Sequence, residues 1–231
     1  MSKRITWDAP EERQFEYGVS KGVHYLKDEK NVYSKAQAWN GLINVTDKPT
    51  GADTTELYAD GIEYAVLRAN ERYEAGIEAY MYPEQFGVCD GSAEPVPGVH
   101  VGQQKRVPFG LCWRTEIGSA EDSTLGYKLH LAYGLTVSPS EQSHDTINDN
   151  IEASTFSWDA KGSPVPVSNL KPSAKITIDS RKVDADKLAA LEDILYGSDN
   201  KDAYLPLPDE VFALVKEKTT GDDTPTDEGN G

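Results

Sequence analysis

The 231-residue chain contains only two cysteines, Cys89 and Cys112, and they form no CxxC pair. Two cysteines cannot build the disulfide framework that is typical of small secreted proteins. A structural zinc site needs four ligands at short paired spacing, and His100 and His130 are not spaced in this way with the two cysteines. We therefore expect two buried free thiols and no metal site.

Long hydrophobic runs are also missing. Hydrophobic residues make up 38% of the chain, and no run of them approaches the roughly 18 residues that cross a bilayer. The first eighteen residues, MSKRITWDAPEERQFEYG, are charged throughout and lack the apolar segment of a signal peptide. These features predict a soluble protein that has no membrane anchor and is synthesised in a cytoplasm.

Motifs of common enzyme classes are missing as well, because the chain has no GxSxG, no HExxH and no phosphate-binding P-loop. The pair Glu74 and Glu78 could be interpreted as the acid and base of a glycosidase. At strand spacing, however, both lie on one sheet face among many similar acids, which favours a solvated charged surface. The sequence therefore predicts no catalytic residues, no cofactor and no enzyme activity.

Basic residues are few, since 23 lysines and arginines stand against 39 acidic residues and give a formal net charge of −16. The last fifteen residues, 217–231, contribute −4 of this charge and are too polar to pack. They predict a flexible acidic C-terminal tail. The remaining body, 1–216, still carries −12. Such a surface repels phosphates, which argues against a protein that binds nucleic acid.

The chain does contain two matched stretches of alternating residues, 106–117 and 126–137. Their odd positions are apolar apart from Thr115, and their even positions are polar or small apart from Cys112. Alternate side chains of a strand point to opposite sheet faces, so the pattern predicts a long β-hairpin whose odd positions form one apolar face. Each strand would span roughly 40 Å, which exceeds what a compact core needs. Such long sheets are typical of barrel walls and of assemblies of many copies.

Shorter patterns predict the other strands. The segment 15–26 is a predicted strand in which Gly18 and Gly22 mark bends or bulges. Further strands are predicted at 36–45, 62–67, 74–82, 153–159 and 174–179, with 62–67 and 74–82 forming a pair.

Helix signals occur only late in the chain. Asp184 or Asp186 can cap a helix that stops at Gly197, and Pro208 can open another. We expect both to be short amphipathic helices that lie on the sheet. The whole pattern predicts a mainly-β fold. A chain of 231 residues fits one all-β domain or two small ones, and we expect a single domain over 1–216.

Two stretches without an apolar period, 44–61 and 83–105, are predicted to be long loops. Loops longer than about 12 to 15 residues are uncommon in compact domains unless they are functional or disordered. We expect 44–61 to be an assembly arm that is mobile in the free subunit and ordered against a neighbouring subunit. Its candidate contact residues are Asp47, Lys48, Thr50, Asp53 and Glu56.

Several strings in the chain resemble one protein family when they are taken in order. They are AWNGLINVTDKPTGADTTELYADGIEY, IEAYMYPEQF, CDGSAEPVPGVHVGQQKR, FGLCWRTEIG, YKLHLAYG, SPSE, ITIDSRKVDADKLAALEDILYG and LPLPDEV. The chain thereby resembles the major tail tube protein of siphophages, the phages and prophages of Gram-positive bacteria with long non-contractile tails. The resemblance runs from about Tyr17 to Val215 and leaves out the N-terminal dozen residues and the acidic tail.

The resemblance implies a β-sandwich or half-barrel subunit that joins five others in a ring, similar in architecture to the tube proteins of type VI secretion and of contractile tails. Stacked rings would form the virion tail tube through which the genome leaves. The implied partners are further copies of the chain, a tape measure protein inside the tube, and tail terminator and distal initiator proteins. Assembly would take place in the cytoplasm of the bacterial host.

An acidic tube lumen would let DNA pass without specific binding, because a basic lining would hold phosphates at every ring. We expect Glu74 and Glu78 to face this lumen, since both lie on the polar side of a predicted strand. The hairpin cations Arg106, Arg114 and Lys128 are then expected to pair with acids or to lie at subunit contacts.

A soluble carbohydrate-binding β-sandwich is the alternative, because the chain has 4 tryptophans, 12 tyrosines and 5 phenylalanines. Most of these rings fall on the apolar side of predicted strands, which favours a core or a subunit interface. Tyr80 and Tyr82 fall on the polar side and are the candidates for a sugar platform.

Overall fold

The computed structural model describes residues 13–120, 124–140 and 153–216, together with the single positions 5, 7, 142, 144 and 146. The predicted acidic tail, 217–231, lies outside the described residues. The described part is mainly β, with antiparallel sheets and a few short helices, which confirms the predicted fold class.

Fourteen strands occur within these residues. They are β1 Gln14–Lys27, β2 Tyr33–Ala38, β3 Leu42–Asp47, β4 Thr50–Gly51, β5 Thr54–Ala59, β6 Ile62–Arg68, β7 Glu71–Arg72, β8 Glu74–Ala79, β9 Ala93–Val96, β10 Val99–Val101, β11 Phe109–Ser119, β12 Gly126–Pro139, β13 Phe156–Gly162 and β14 Lys175–Asp179. The helices are α1 Gly87–Asp90, α2 Ala185–Tyr196 and α3 Pro208–Val215, with 3-10 turns at Glu84–Phe86 and Ser180–Lys182. No helix among the described residues is long and apolar enough to cross a membrane.

The main sheet has the strand order β2-β1-β11-β12-β13-β8-β3, and β14 pairs with β12 beside β13. Its two edge strands, β2 and β3, are consecutive in the chain and separated only by residues 39–41. A Cβ added at Gly22 of β1 would lie 2.8 Å from the side chain of Leu42 in β3, so the two ends of the sheet approach each other closely. The sheet is therefore strongly curled, as a half-barrel requires.

The long hairpin is present as β11 and β12, but its predicted apolar face is wrong. The register places Cys112 opposite Leu131 and Trp113 opposite His130. Residues opposite each other in an antiparallel pair share a sheet face. Odd positions of β11 therefore share a face with even positions of β12 over most of the hairpin, and both faces carry buried apolar side chains.

A bulge at Gly134 also interrupts the alternation of side chains along β12. Phe109 pairs with Leu135 and Leu111 pairs with Ala132, so β12 contains one extra residue between the two pairs. Gly134 has φ +60°, a left-handed conformation that favours glycine. Beyond this bulge the odd positions of β12 point into the opposite core.

Two cores lie on the two sides of the sheet. The inner core fills the curl and contains Trp39, Ile77, Phe86, Phe109, Leu111, Trp113, Leu135, Val137 and Trp158. The outer core lies under α2 and α3 and contains Tyr25, Tyr33, Cys112, Leu129, Leu131, Tyr133, Leu188, Leu191, Leu195 and Val211.

The two predicted helices are confirmed on the sheet. Asp184 caps α2 by accepting hydrogen bonds from the backbone N–H groups of Asp186 and Lys187, and Pro208 is the first residue of α3. The Tyr25 hydroxyl donates to the Leu195 carbonyl over 2.5 Å, which ties α2 to β1.

Several strand predictions need correction. The predicted strand 36–45 is two strands, because the chain turns at Gly41 with φ +81°. The predicted loop 83–105 contains α1 and the β9–β10 hairpin. The strand 62–67 pairs with β5 and not with 74–82. In β1, by contrast, the register shifts near Gly18 and Gly22 as predicted.

Candidate assembly surfaces

Residues 48–73, which we call the arm, form a folded β-ribbon that leaves the main sheet between β3 and β8 and includes most of the predicted assembly arm 44–61. Strands β5 and β6 form a hairpin around Asp60 and Gly61, which have φ +51° and +80°. Behind the hairpin, β4 pairs with β7. The prediction that 44–61 is a loop unable to form structure of its own is therefore wrong. The Asp-Gly pair at 60–61 is the sequence signal for this turn, because such a pair strongly favours a two-residue hairpin turn.

One face of the arm hairpin is uncharged. Thr55 is opposite Leu67, Leu57 is opposite Ala65 and Ala59 is opposite Ile62, so these six side chains share a face. Leu57, Ile62 and Leu67 are 40%, 67% and 55% exposed. Contiguous exposed apolar residues mark interaction surfaces more often than chance, because water disfavours them. We call these six residues the apolar arm face.

The opposite face of the hairpin carries the charges. Glu56 is opposite Val66, and Tyr58 is opposite Glu63. The Tyr58 hydroxyl donates to the Glu56 carboxylate over 2.5 Å. The charges therefore lie on this face of the hairpin, beside the exposed side chains of Tyr58 and Val66, and the apolar arm face carries none.

The five arm residues predicted from sequence lie along the whole ribbon and do not form one patch. Asp47 and Lys48 are at its root, where the Lys48 ammonium is 3.1 Å from the Asp159 carboxylate. Thr50 pairs with Arg72 in the β4–β7 ladder. The Asp53 carbonyl accepts from Ala69, and Glu56 lies in the hairpin. Sequence reasoning missed the apolar arm face because 62–67 was assigned to the body.

A second surface is the outward face of β3, β8, β13 and the end of β12, which we call the open sheet face. The alternate residues of β8, Ala75, Ile77 and Ala79, are buried in the inner core, so their neighbours point outward. The outward residues are small or polar: Asn44, Thr46, Glu74, Gly76, Glu78, Thr136, Ser138, Ser157, Asp159 and Lys161. Most of them are exposed.

Glu74 and Glu78 both belong to the open sheet face. Glu78 is exposed and lies opposite Ser157 and Asn44. Glu74 is half-buried, with its carboxylate 3.8 Å from the Lys161 ammonium. With Asp159, Lys161 and the neighbouring Lys48 included, this face has three acids and two bases, a net charge of −1.

Two of the hairpin cations are paired within the chain. The Arg114 guanidinium donates two hydrogen bonds to Glu116, over 2.8 and 3.1 Å, and lies 3.7 Å from the Tyr127 ring centre. The Lys128 ammonium is 2.5 Å from Glu16. Partial burial raises the pKa of Glu16, but the bonds from Lys128 and Thr115 outweigh it and hold that pKa below its usual value.

Both cysteines are free and buried, as predicted. Cys89 lies 3.5 Å from Nε2 of His24, whose Nδ1 is 3.1 Å from the Gln85 amide. A thiol next to an imidazole that contacts an amide resembles a catalytic cysteine–histidine pair. Burial, however, lowers the pKa of His24 to about 3 and raises the pKa of Cys89 to about 12. A reactive pair needs the opposite shifts, so this one is part of the core. Among the described residues, no group of His, Cys, Asp or Glu side chains is arranged to hold a metal.

The two tyrosines of the carbohydrate alternative do not form a platform. The Tyr82 ring packs edge-on against Phe156 and Trp158 at the border of the inner core. Tyr80 is exposed. A sugar platform uses neighbouring exposed rings, and here one of the two is packed into the protein.

No protein-family model and no curated protein matches the chain. Among solved structures, a chain of the PVC sheath–tube complex of an extracellular contractile injection system, in its extended state, is similar with 9% identity and a TM-score of 0.29. That match covers 69% of this chain and 88% of the other. A chain of the sheath/tube terminator of the same system is similar with 10% identity and a TM-score of 0.27, covering 76% of this chain and 99% of the other. Both TM-scores lie below 0.5, so neither likeness identifies a shared fold.

Proposed function

We propose that the chain is the structural subunit of a siphophage-type tail tube. Subunits assemble into rings of six, and the rings stack into a tube that conducts the genome during infection. The observation that carries the proposal is the apolar arm face, an exposed apolar strip on a ribbon that projects from the sheet. The resemblance of the sequence to major tail tube proteins supports the ring and the stack.

The arm supports self-assembly because burial of its apolar face against a second protein surface would be favourable. Burial of apolar area stabilises association by roughly 25 cal/mol per Å² before the entropic costs of binding. A closed ring or stack of identical subunits needs a surface that contacts a different surface of its neighbour. A projecting arm that seats on the body of the next subunit meets this requirement.

The open sheet face supports a lumen that does not bind DNA. Its two lysines, Lys48 and Lys161, face the acids Asp159 and Glu74, so few positive charges are left for phosphates. Fewer phosphate contacts mean fewer released counterions and weaker affinity for DNA. In this proposal Glu74 and Glu78 line the lumen, and the tape measure protein occupies it before ejection.

The remaining partners in this proposal are the tail terminator and the distal initiator proteins at the two ends of the tube. The subunit works in the virion tail after assembly in the cytoplasm of the bacterial host. It needs no cofactor for this role.

Electron microscopy of concentrated protein tests the proposal with a matched pair of variants. Leu67 and Val66 are neighbours in β6, are 55% and 49% exposed, and lie on opposite faces of the arm hairpin. We expect the wild type and Val66→Ser to form rings or tubes, and Leu67→Ser to remain dispersed with an unchanged melting temperature. Equal assembly of Leu67→Ser and the wild type would contradict the role of the arm.

A further inference from the structure

The arm joins the body at its root, the point where β3 leads into it and β8 leaves it. At the root the Lys48 N–H donates to the Glu74 carbonyl over 2.7 Å, and Thr50 pairs with Arg72 just beyond. These bonds join the two strands of the ribbon to each other, and the Gly162 N–H of β13 donates to the Tyr73 carbonyl over 2.9 Å, which holds the backbone to the main sheet as far as Tyr73. A two-stranded ribbon still twists and bends easily, so its direction relative to the body needs a further restraint.

Asp47, the last residue of β3, supplies that restraint through both of its carboxylate oxygens. Oδ1 accepts a hydrogen bond of 2.8 Å from the Tyr73 hydroxyl on the returning strand. Oδ2 accepts from the Lys175 ammonium. Lys175 belongs to β14, which pairs with β12 and lies far from the arm in sequence. The contact therefore connects the arm root to a part of the sheet that is not its neighbour in the strand order.

Lys175 is itself held in place on several sides. Its side chain is 16% exposed, and its ammonium lies 5.0 Å from the Trp113 ring centre and 5.7 Å from the Tyr73 ring centre. Cations are attracted to ring faces at these distances. The Trp113 ring in turn is stacked on His130, at 5.0 Å and 9°. Burial, followed by the charge of Lys175, lowers the pKa of His130 to about 4, so this imidazole is neutral near pH 7 and does not repel the lysine.

We propose that Lys175, Asp47 and Tyr73 form an arm-root clamp that fixes the direction of the arm relative to the body. They are positioning residues, because the apolar arm face makes the contact with the neighbour and the clamp determines where that face points. The part of this inference that concerns assembly rests on the proposed function. The part that concerns the direction of the arm does not.

The chemistry of the clamp suits a positioning role. A charge-assisted hydrogen bond is directional, and Lys175 and Tyr73 approach two different oxygens of one carboxylate. Ion pairs that water can reach contribute little to stability, and the Asp47 side chain is 45% exposed. Loss of the clamp should therefore free the arm while the body remains folded.

Loss of the fixed arm direction should weaken the affinity of the arm for a neighbouring subunit. If the freed arm points in the binding direction for about one tenth of the time, its apparent affinity for a neighbour falls about tenfold. The concentration required for tube assembly should rise by the same factor.

Distance measurement between two spin labels tests the clamp in the monomer. Labels attached at Glu63→Cys on the arm and Asp193→Cys on α2 report the direction of the arm, and the native cysteines are too buried to react. We expect a single narrow distance distribution in the otherwise unchanged protein. Lys175→Met, which keeps an apolar chain between the rings, should broaden it, and so should Tyr73→Phe, which removes only one hydroxyl.

Lys161→Met is the matched control, because it breaks an ion pair with Glu74 that lies within the sheet and includes no residue of the arm. It should leave the distance distribution narrow. An unchanged distribution in both Lys175→Met and Tyr73→Phe would overturn the clamp. A broadened distribution with an unchanged critical concentration for assembly would overturn its role in assembly. Failure of the wild type to form tubes would count against the proposed function, while the distance measurement would still decide whether the clamp exists.

Discussion

The main sheet has two halves that differ in how many of their faces are buried. In the half formed by β11, β14, the first part of β12 and residues 22–27 of β1, one face packs in the inner core and the other under α2 and α3. In the half formed by β3, β8 and β13, only the inner face is buried and the outer face carries small polar and charged residues. The helix-covered half is therefore packed on both sides, and the open half leaves one polar face exposed.

The largest expected effect lies in the helix-covered half. Leu131 is fully buried in the outer core, so Leu131→Ala should lower the free energy of unfolding by about 2 to 5 kcal/mol. Lys128, three residues earlier, makes a partly exposed ion pair with Glu16, and Lys128→Ala should cost less than about 1 kcal/mol. Chemical denaturation of both variants measures the difference. The reverse order would show that the outer core is assigned to the wrong side of β12.

Acid should weaken the inner core through His24 and His130, whose pKa values burial lowers to about 3 and about 4. Their ordinary pKa is 6.5. Between these values the unfolded chain binds protons that the folded chain does not, so stability falls as the pH drops below about 6.5. Between pH 7 and pH 5 the loss should be on the order of 2 kcal/mol for each histidine.

Chemical denaturation of the wild type and of His130→Gln at both pH values measures this loss. The variant should show about half of the dependence on pH, because one of the two groups has been removed. An equal dependence in both proteins would show that His130 titrates normally.

A smaller effect is expected where β12 passes from one half of the sheet to the other. Gly134 has φ +60°, and a Cβ there would lie 2.8 Å from the Ser163 carbonyl oxygen. Gly134→Ala should therefore cost about 1 to 3 kcal/mol in unfolding free energy. Gly102→Ala is the control, because a Cβ at Gly102 meets nothing within 4 Å and no positive φ is needed. Equal melting temperatures for the two variants would contradict a strained bulge.

The smallest effect on stability is expected on the open sheet face. Replacing both Glu74 and Glu78 by Gln should change the unfolding free energy by no more than about 0.5 kcal/mol per site. The face would change from −1 to +1, because two negative charges are removed. If this face lines the lumen, tubes of the double variant should retain DNA at moderate salt and wild-type tubes should not. Identical retention would place these residues elsewhere.

The local elements could be predicted from the sequence, and their mutual arrangement could not. The α2 cap, the bulges of β1 and the long hairpin each have a signal within a few residues. Alternation shows that a strand has two faces, but it does not show which parity of β11 meets which parity of β12. The odd positions of β12 are apolar both before and after the bulge at Gly134, so the sequence pattern gives no indication of the bulge.

The arm shows the same contrast between a local feature that the sequence predicts and a distant contact that it does not. Its hairpin was predictable from Asp60 and Gly61, since that pair favours a two-residue turn. The clamp at its root was not, because Asp47 and Lys175 are 128 residues apart and an exposed acid gives no indication of its partner. Glu74 and Glu78 were placed on one outward face by their spacing, which the structure confirms, and their position in a lumen stays a prediction.

A cryo-EM reconstruction of tubes assembled from the purified protein tests the account most directly. It should show the open sheet face with Glu74 and Glu78 toward the lumen, and Leu57, Ile62 and Leu67 buried against a neighbouring subunit. A tube with α2 and α3 toward the lumen and the apolar arm face exposed to solvent would contradict it.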